Sequence, residues 1–354
     1  MIENYSIWDR LKENNRPIFM YGTGNGADKI IDALNKYGIK LDGIFASDGY
    51  VRDRYFRDMK VRSYSDVIAE YGDKITVLLA FGTTLDSVCE FIYELDRRNE
   101  LIIPDVPLYG GELFDMNYYL AHKDKLDEAR EIFDDQMSKN IFDDAINFRL
   151  TGKIEYLSRV GKHTDSLREL FGMQEMGLLV DAGAFKGDST RDFTEALNVK
   201  KIIAVEADPK TYLKLKNYAD EEMRSEILAI NAAVWNENGT IEYVSSASRG
   251  SGEAGKNRRA KITEVNTRTL DTIIGGEAVD FIKLDIEGAE ASALDGAEKA
   301  LRLHEPNMEV SLYHRTDDLF AIPLRLKSTL PNHKFYLRRV PCIPMWDLNL
   351  YAVK

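Results

Sequence analysis

The chain has 354 residues, more than one ordinary core holds, and roughly 150 residues per domain predicts two domains. Hydrophobic residues make up 44% and charged residues 30%, which is globular usage and excludes disordered, collagen-like and low-complexity classes. Lys and Arg number 47 against 59 Asp and Glu, a net charge of −12 that gives no global counterion-release drive toward nucleic acid or anionic lipid, so nucleic acid is not an expected partner.

The first ten residues, MIENYSIWDR, lack a basic segment followed by an apolar one, so no export signal is expected. Pro17–Tyr21 (PIFMY) reads as a strand, Asn25–Tyr37 as a helix, Leu41–Phe45 as a strand and Ile75–Phe81 (ITVLLAF) as a buried strand. That last run is among the longest apolar stretches and is strand-sized, so no membrane span is predicted. Helix Leu85–Arg97 and strand Leu101–Ile103 complete a Rossmann-like domain over residues 1–114. Within it Gly22-Thr23-Gly24-Asn25-Gly26-Ala27 follows a strand and opens a helix, and Asp48 stands about twenty residues on, as in a dinucleotide site. Two readings of Gly22, Gly24, Gly26 and Asp48 stay open: a nucleotide or nucleotide-sugar site, or a module that has lost its ligand and serves for docking.

Residues 115–172 carry apolar side chains at helical spacing among many charges and read as a helical linker of two or three helices. A second α/β series fills residues 173–354, with strands at Gly177–Val180, Lys201–Val205, Ile227–Ala232, Asp280–Leu284 and Met308–Tyr313. Each run ends near a polar residue, which marks the edge where open α/β sheets bind ligands. Helix Leu319–Leu330 follows, then two alternating segments, His333–Arg338 and Asp347–Val353, that read as a closing β-hairpin. Between Ile241 and Ile274 lies an insertion whose Gly, Ser and four basic residues, Arg249, Lys256, Arg258 and Arg259, read as a mobile loop able to act as a lid or acceptor clamp. Cys89 and Cys342 lie far apart with no Cys/His cluster, so neither a disulfide framework nor a zinc site is indicated, and a reducing cytoplasm fits.

The strand Gly177–Val180 runs into DAGAFKG, with Asp181 at its end and Gly183 and Gly187 in the turn. A dinucleotide fingerprint has a middle glycine where the backbone cradles a pyrophosphate, and Gly183-x-x-x-Gly187 lacks it while an acid precedes the turn. That favours a ligand with a cationic amine or sulfonium, which describes S-adenosylmethionine. Glu206 closes the next strand about twenty residues beyond the glycines, where a carboxylate accepts the hydroxyls of a ribose diol. Small residues at Asn231-Ala232-Ala233 leave room for an adenine ring, and the fourth strand ends in KLDIEGAE, residues 283–290.

VDAGAFKGDST, AVEADPK, NAAV with NGTIEYV, NTRTLD, FIKLDIEGAE with LDGAEKAL, and SLYHRTDDLFAIPLRLKSTLPNHKFYLR together resemble the FkbM family of S-adenosylmethionine-dependent methyltransferases. The resemblance spans roughly Gly177 to Lys354; one departure is that the family commonly has a small residue and Asp or Asn where this chain has Phe185-Lys186. It implies an α/β protein of two Rossmann-like domains, the C-terminal one a seven-stranded class I methyltransferase fold ending in a β-hairpin. Methyl donor binding falls to Asp181, Gly183, Ala184, Gly187, Asp188, Glu206, Ala207, Asp208 and Ala232, with Asp285 at the reacting end. The acceptor it implies is a hydroxyl on a sugar, glycan or natural product, and no metal is called for. Asp285, Glu287 and His314 are the candidates for the base that takes the hydroxyl proton, and His314 is favoured because its ordinary pKa lies nearest neutral pH. Rival readings are a nucleotide-sugar oxidoreductase or epimerase working through the first domain, and a non-catalytic small-molecule sensor or scaffold; a homo-oligomer is compatible with each.

Overall fold

The computed structural model describes residues 1–51, 54–107, 109–245, 252–253 and 261–354. The basic insertion segment with Arg249, Lys256, Arg258 and Arg259 lies outside the described residues. The chain divides into two compact units: residues 1–127, 139–160 and 341–347 form the first, and residues 128–138, 161–340 and 348–354 the second. The helical stretch expected as a linker, residues 115–172, is shared out between the two units.

In the first unit, strands β1 (Ile18–Tyr21), β2 (Gly43–Ala46), β3 (Tyr55–Phe56), β4 (Met59–Ser63), β5 (Thr76–Leu79) and β6 (Glu100–Ile102) form a sheet of order β3-β4-β2-β1-β5-β6. All neighbours are parallel except β3 and β4. All residues of β1, β2 and β5 are buried, as continuous apolar runs covered on both faces must be. The helix Asn25–Tyr37 coincides with the sequence expectation and stops at Gly38, whose φ of 68° lets its amide close back on the Leu34 and Asn35 carbonyls. Residues 341–347 complete this unit: Ile343 bridges Thr83 through two backbone hydrogen bonds of 2.7 and 3.1 Å, and Gly82 lies directly under the Trp346 ring.

In the second unit, strands β7 (Glu175–Ala182), β8 (Asn198–Glu206), β9 (Glu226–Asn231), β14 (Phe281–Leu284), β15 (Asn307–Ser311), β16 (Lys334–Arg339) and β17 (Leu348–Val353) form a seven-stranded sheet of order β16-β17-β15-β14-β7-β8-β9. β17 runs antiparallel to both β15 and β16, and the rest are parallel. Strands β10 (Ala233–Val234), β11 (Gly239–Ser245), β12 (Gly252–Glu253) and β13 (Lys261–Arg268), which overlap the insertion but begin before it, form a small separate sheet. Because β7, β8, β14 and β15 are parallel, the turns that leave their C-terminal ends emerge at one edge. No helix among the described residues is long and apolar enough to cross a membrane.

Candidate active site

The turn after β7 is built by backbone hydrogen bonds: the Gly183 and Ala184 amides both donate to the Val205 carbonyl, at 2.9 and 3.0 Å, and the Gly187 amide to Ala184 at 2.8 Å. Gly183 sits at φ +80°, and a Cβ there would run into the Asp285 carbonyl oxygen, so glycine is required for two reasons at once. Phe185 is also left-handed, at φ +52°, a conformation that Asp and Asn adopt far more readily. The departure from the family pattern thus falls on a strained residue. Its amide donates at 3.0 Å to Glu206 Oε2 while the Asp208 amide donates at 2.7 Å to Glu206 Oε1. Glu206 is buried, and burial, opposed by those two amides, pushes it up to about 7.

Asp181 does not present itself to a ligand as the sequence suggested. It is fully buried; Ser189 and Thr190 donate their hydroxyls to Oδ2 at 2.8 and 2.6 Å, and the Lys283 ammonium lies 3.2 Å from Oδ1. Its work is to tie the start of the following helix, Asp188–Ala196, to the strand end. Asp208 is likewise a helix cap, accepting the Lys210 and Thr211 amides at 2.9 and 3.0 Å, and is buried. Asp188 is exposed in the first turn of its helix, where an acid suits the helix dipole. Ala184 and Ala232 are buried, and the Asn231 side chain donates to the Glu206 and Ala207 carbonyls at 2.8 and 3.0 Å, holding the ends of β8 and β9 together.

The turn after β14 carries the second cluster. Asp285 keeps about a third of its side chain exposed; Tyr313 donates its hydroxyl to Oδ1 at 3.0 Å, and His314 Nε2 lies 3.5 Å from the same oxygen and 3.6 Å from Glu287 Oε2. Glu287 is left-handed at φ +58°. On its other nitrogen His314 shares a hydrogen bond of 2.8 Å with Glu290, and both residues are buried. Burial works against charge on His314, but Glu290, Glu287 and Asp285 together raise it to about 10. An imidazole whose charge is favoured in this way is poorly suited to take a proton, which weighs against the expectation that His314 is the base. Asp285 goes the other way: burial raises it, but the Lys283 ammonium and His314 outweigh that and hold it below the usual carboxylate range. The donor atoms of Asp285, Glu290 and His314 lie within 4.8 Å of one another, a set that a divalent cation could take; the protonated imidazole supplies positive charge at the same point.

Behind these turns, His163 bridges Asp192 at 2.8 Å and both oxygens of Glu309 at 3.0 Å, and its charge is favoured up to about 10 despite burial, chiefly by Glu309. For both histidines the folded-state pKa exceeds the ordinary 6.5. The stability they confer is complete below about pH 6.5 and is lost as pH rises toward 10. Melting temperature is therefore expected to fall steadily between pH 7 and 10, and a flat profile in differential scanning calorimetry would contradict the charged state of both side chains.

Sequence reasoning assigned no role to Lys283, Tyr313, His163 or Glu309, and weighed Glu290 only as part of a divalent-cation site with Asp285 and Glu287. For Lys283 and Glu309 a signal existed: each is a charge inside an otherwise apolar parallel strand, FIKL and NMEVS, which is tolerated only if paired. In the first unit, Gly22 follows β1, Gly24 caps the next helix and Gly26 lies in its first turn, where a Cβ would stand 2.6 Å from the Ala80 carbonyl oxygen, so close packing alone accounts for that glycine. Asp48 is exposed and accepts hydrogen bonds from Ser65, through the amide at 3.0 Å and through the hydroxyl.

Residues 181–336 match the family model described as the methyltransferase FkbM domain. No curated protein matches the chain at a comparable level. Among solved structures, a methyltransferase FkbM from Methylobacillus flagellatus KT is similar over 98% of this chain and 94% of its own, at 19% identity and a TM-score of 0.70. An rRNA methylase from Streptococcus thermophilus aligns over 54% of this chain and 93% of its own, at 14% identity and a TM-score of 0.34. Aeropyrum pernix fibrillarin with natively bound S-adenosyl-L-methionine aligns over 54% and 73%, at 14% identity and 0.33.

Proposed function

From the match of residues 181–336 to the methyltransferase FkbM domain model we propose that the protein transfers a methyl group from S-adenosylmethionine to a hydroxyl of a sugar, glycan or natural product. The observation that carries the reading is Glu206: one backbone amide on each oxygen fixes its carboxylate beside the glycine turn, with lone pairs left for a ribose diol. The chemistry of this donor set suits S-adenosylmethionine, a cation with two ribose hydroxyls, better than a pyrophosphate, which an acidic edge would repel. Bound there, S-adenosylmethionine would supply a sulfonium methyl for the acceptor oxygen to attack in line, the carbon–sulfur bond breaking to release S-adenosylhomocysteine.

Asp285 receives the acceptor's proton. A weak base suffices, because a hydroxyl oxygen that gains a methyl becomes strongly acidic as the bond forms, so a carboxylate below the usual range can still take the proton. Tyr313, hydrogen-bonded to Asp285, orients the carboxylate, and His314 keeps it ionised. Asp285, Glu287 and Tyr313 all retain partial exposure and offer acceptors and a donor to a polyhydroxylated molecule.

Calorimetric titration with S-adenosylhomocysteine tests the reading. Binding is expected, and Glu206→Ala should weaken it by about 1–3 kcal/mol, since the ribose hydroxyls lose their acceptor. Well-folded protein that binds no S-adenosylhomocysteine would sink the proposal.

A further inference from the structure

Lys283 stands in the middle of the sheet, opposite Asp181 on β7 and Glu309 on β15. Its side chain is 5% exposed, and its ammonium reaches the turns after both β7 and β14. It donates to the Gly183 carbonyl at 2.9 Å and reaches Ser189 Oγ at 3.4 Å, Asp181 Oδ1 at 3.2 Å and Asp285 Oδ2 at 3.8 Å. Gly183, Asp181 and Ser189 belong to the glycine turn and the helix it opens; Asp285 belongs to the other turn. One cation is thus fastened to both halves of the site.

Stability is a poor explanation for such a group. A buried ammonium is costly to desolvate, and well-packed apolar residues in place of a buried ion pair are often neutral or stabilising. Burial opposes the charge on Lys283, yet Asp181 and then Asp285 overcome it and hold the ammonium protonated. The same charge draws Asp285 down and acts against the rise of Glu206. Glu309, fixed by the protonated His163, adds a carboxylate on the far side.

We propose that Lys283 is the positioning residue of the donor site: it sets the Gly183 carbonyl and the Asp285 carboxylate in one fixed relation. The inference rests on the methyltransferase reading. It gives the lysine of KLDIEG a function that neither touching the donor nor filling the core would require.

Lys283→Met removes the ammonium and keeps an unbranched apolar side chain. If that variant, with Asp181 left uncompensated, fails to melt cooperatively, Lys283→Met combined with Asp181→Asn removes both charges of the pair and is compared with Asp181→Asn alone. In either folded variant S-adenosylhomocysteine should bind at least about tenfold more weakly. An acid-side loss of binding is expected as Glu206, pushed up to about 7, takes a proton, and without the Lys283 charge that opposes this rise the loss should move to higher pH. A folded variant with the Kd and pH profile of its reference would overturn the role of Lys283. Wild-type protein that binds no S-adenosylhomocysteine would instead overturn the donor site itself, so the two failures are distinguishable. A merely structural lysine would lower the melting temperature and leave the pH profile of binding where it was.

Discussion

Asp285→Asn should lower turnover by about 10²–10⁴-fold, the usual worth of a positioned base, while S-adenosylhomocysteine still binds within a few-fold of wild type. The substitution keeps the shape and the hydrogen bond from Tyr313 but removes the charge that receives the proton. Turnover is read as S-adenosylhomocysteine released in the presence of a hydroxylated acceptor chosen by screening sugars. The companion variant is His314→Gln. Because Glu290, Glu287 and Asp285 favour the charged form of His314, it is expected to act on rate through its neighbours, so folded His314→Gln should lose much less than Asp285→Asn. The reverse order, with Asp285→Asn active and His314→Gln dead, would return the base to the histidine.

Gly183→Ala is the second large effect, on structure as much as on binding. The new methyl group would meet the Asp285 carbonyl oxygen, and alanine would be held at φ +80°. Backbone has to move at the junction of both turns, at a cost of about 2–4 kcal/mol. For a unit of this size that corresponds to a drop of roughly 5–15 °C in melting temperature. Donor affinity should fall with it, because the Phe185 amide that sets Glu206 lies two residues on. An unchanged melting temperature would show that the two turns have room that the close approach of Gly183 to Asp285 denies them.

Much of the fold was readable because its strands are apolar runs bounded by polar turns. The helix Asn25–Tyr37 and the strands around residues 177–182, 198–206 and 281–284 were found to within a few residues. Strand Met59–Ser63 was missed because it buries only Val61 fully and carries Lys60 and Arg62, so neither period stands out. The helix Tyr64–Tyr71 that follows was not read either, although Ser63, which caps the Asp66 amide three residues on, was a start signal. In the site, the glycine turn and Glu206 could be read from spacing because the chain itself sets their separation. The state of His314 could not. It depends on Glu290, twenty-four residues away in sequence, and on two further carboxylates that only the folded turn brings near. Asp181 and Lys283 show the same limit, since which carboxylates are spent on internal partners is a property of neighbouring strands.

The seven residues 341–347 belong to the first unit, although the strands on either side of them belong to the second. Protein synthesis therefore finishes the two units almost together. After residue 160 the ribosome adds about 180 further residues before it reaches Pro341, roughly 10–40 s at 5–20 residues per second. Throughout that interval the backbone of Thr83 waits for Ile343, and Gly82 waits for the Trp346 ring. The usual order, in which an N-terminal domain is complete before the next one emerges, does not apply to this chain.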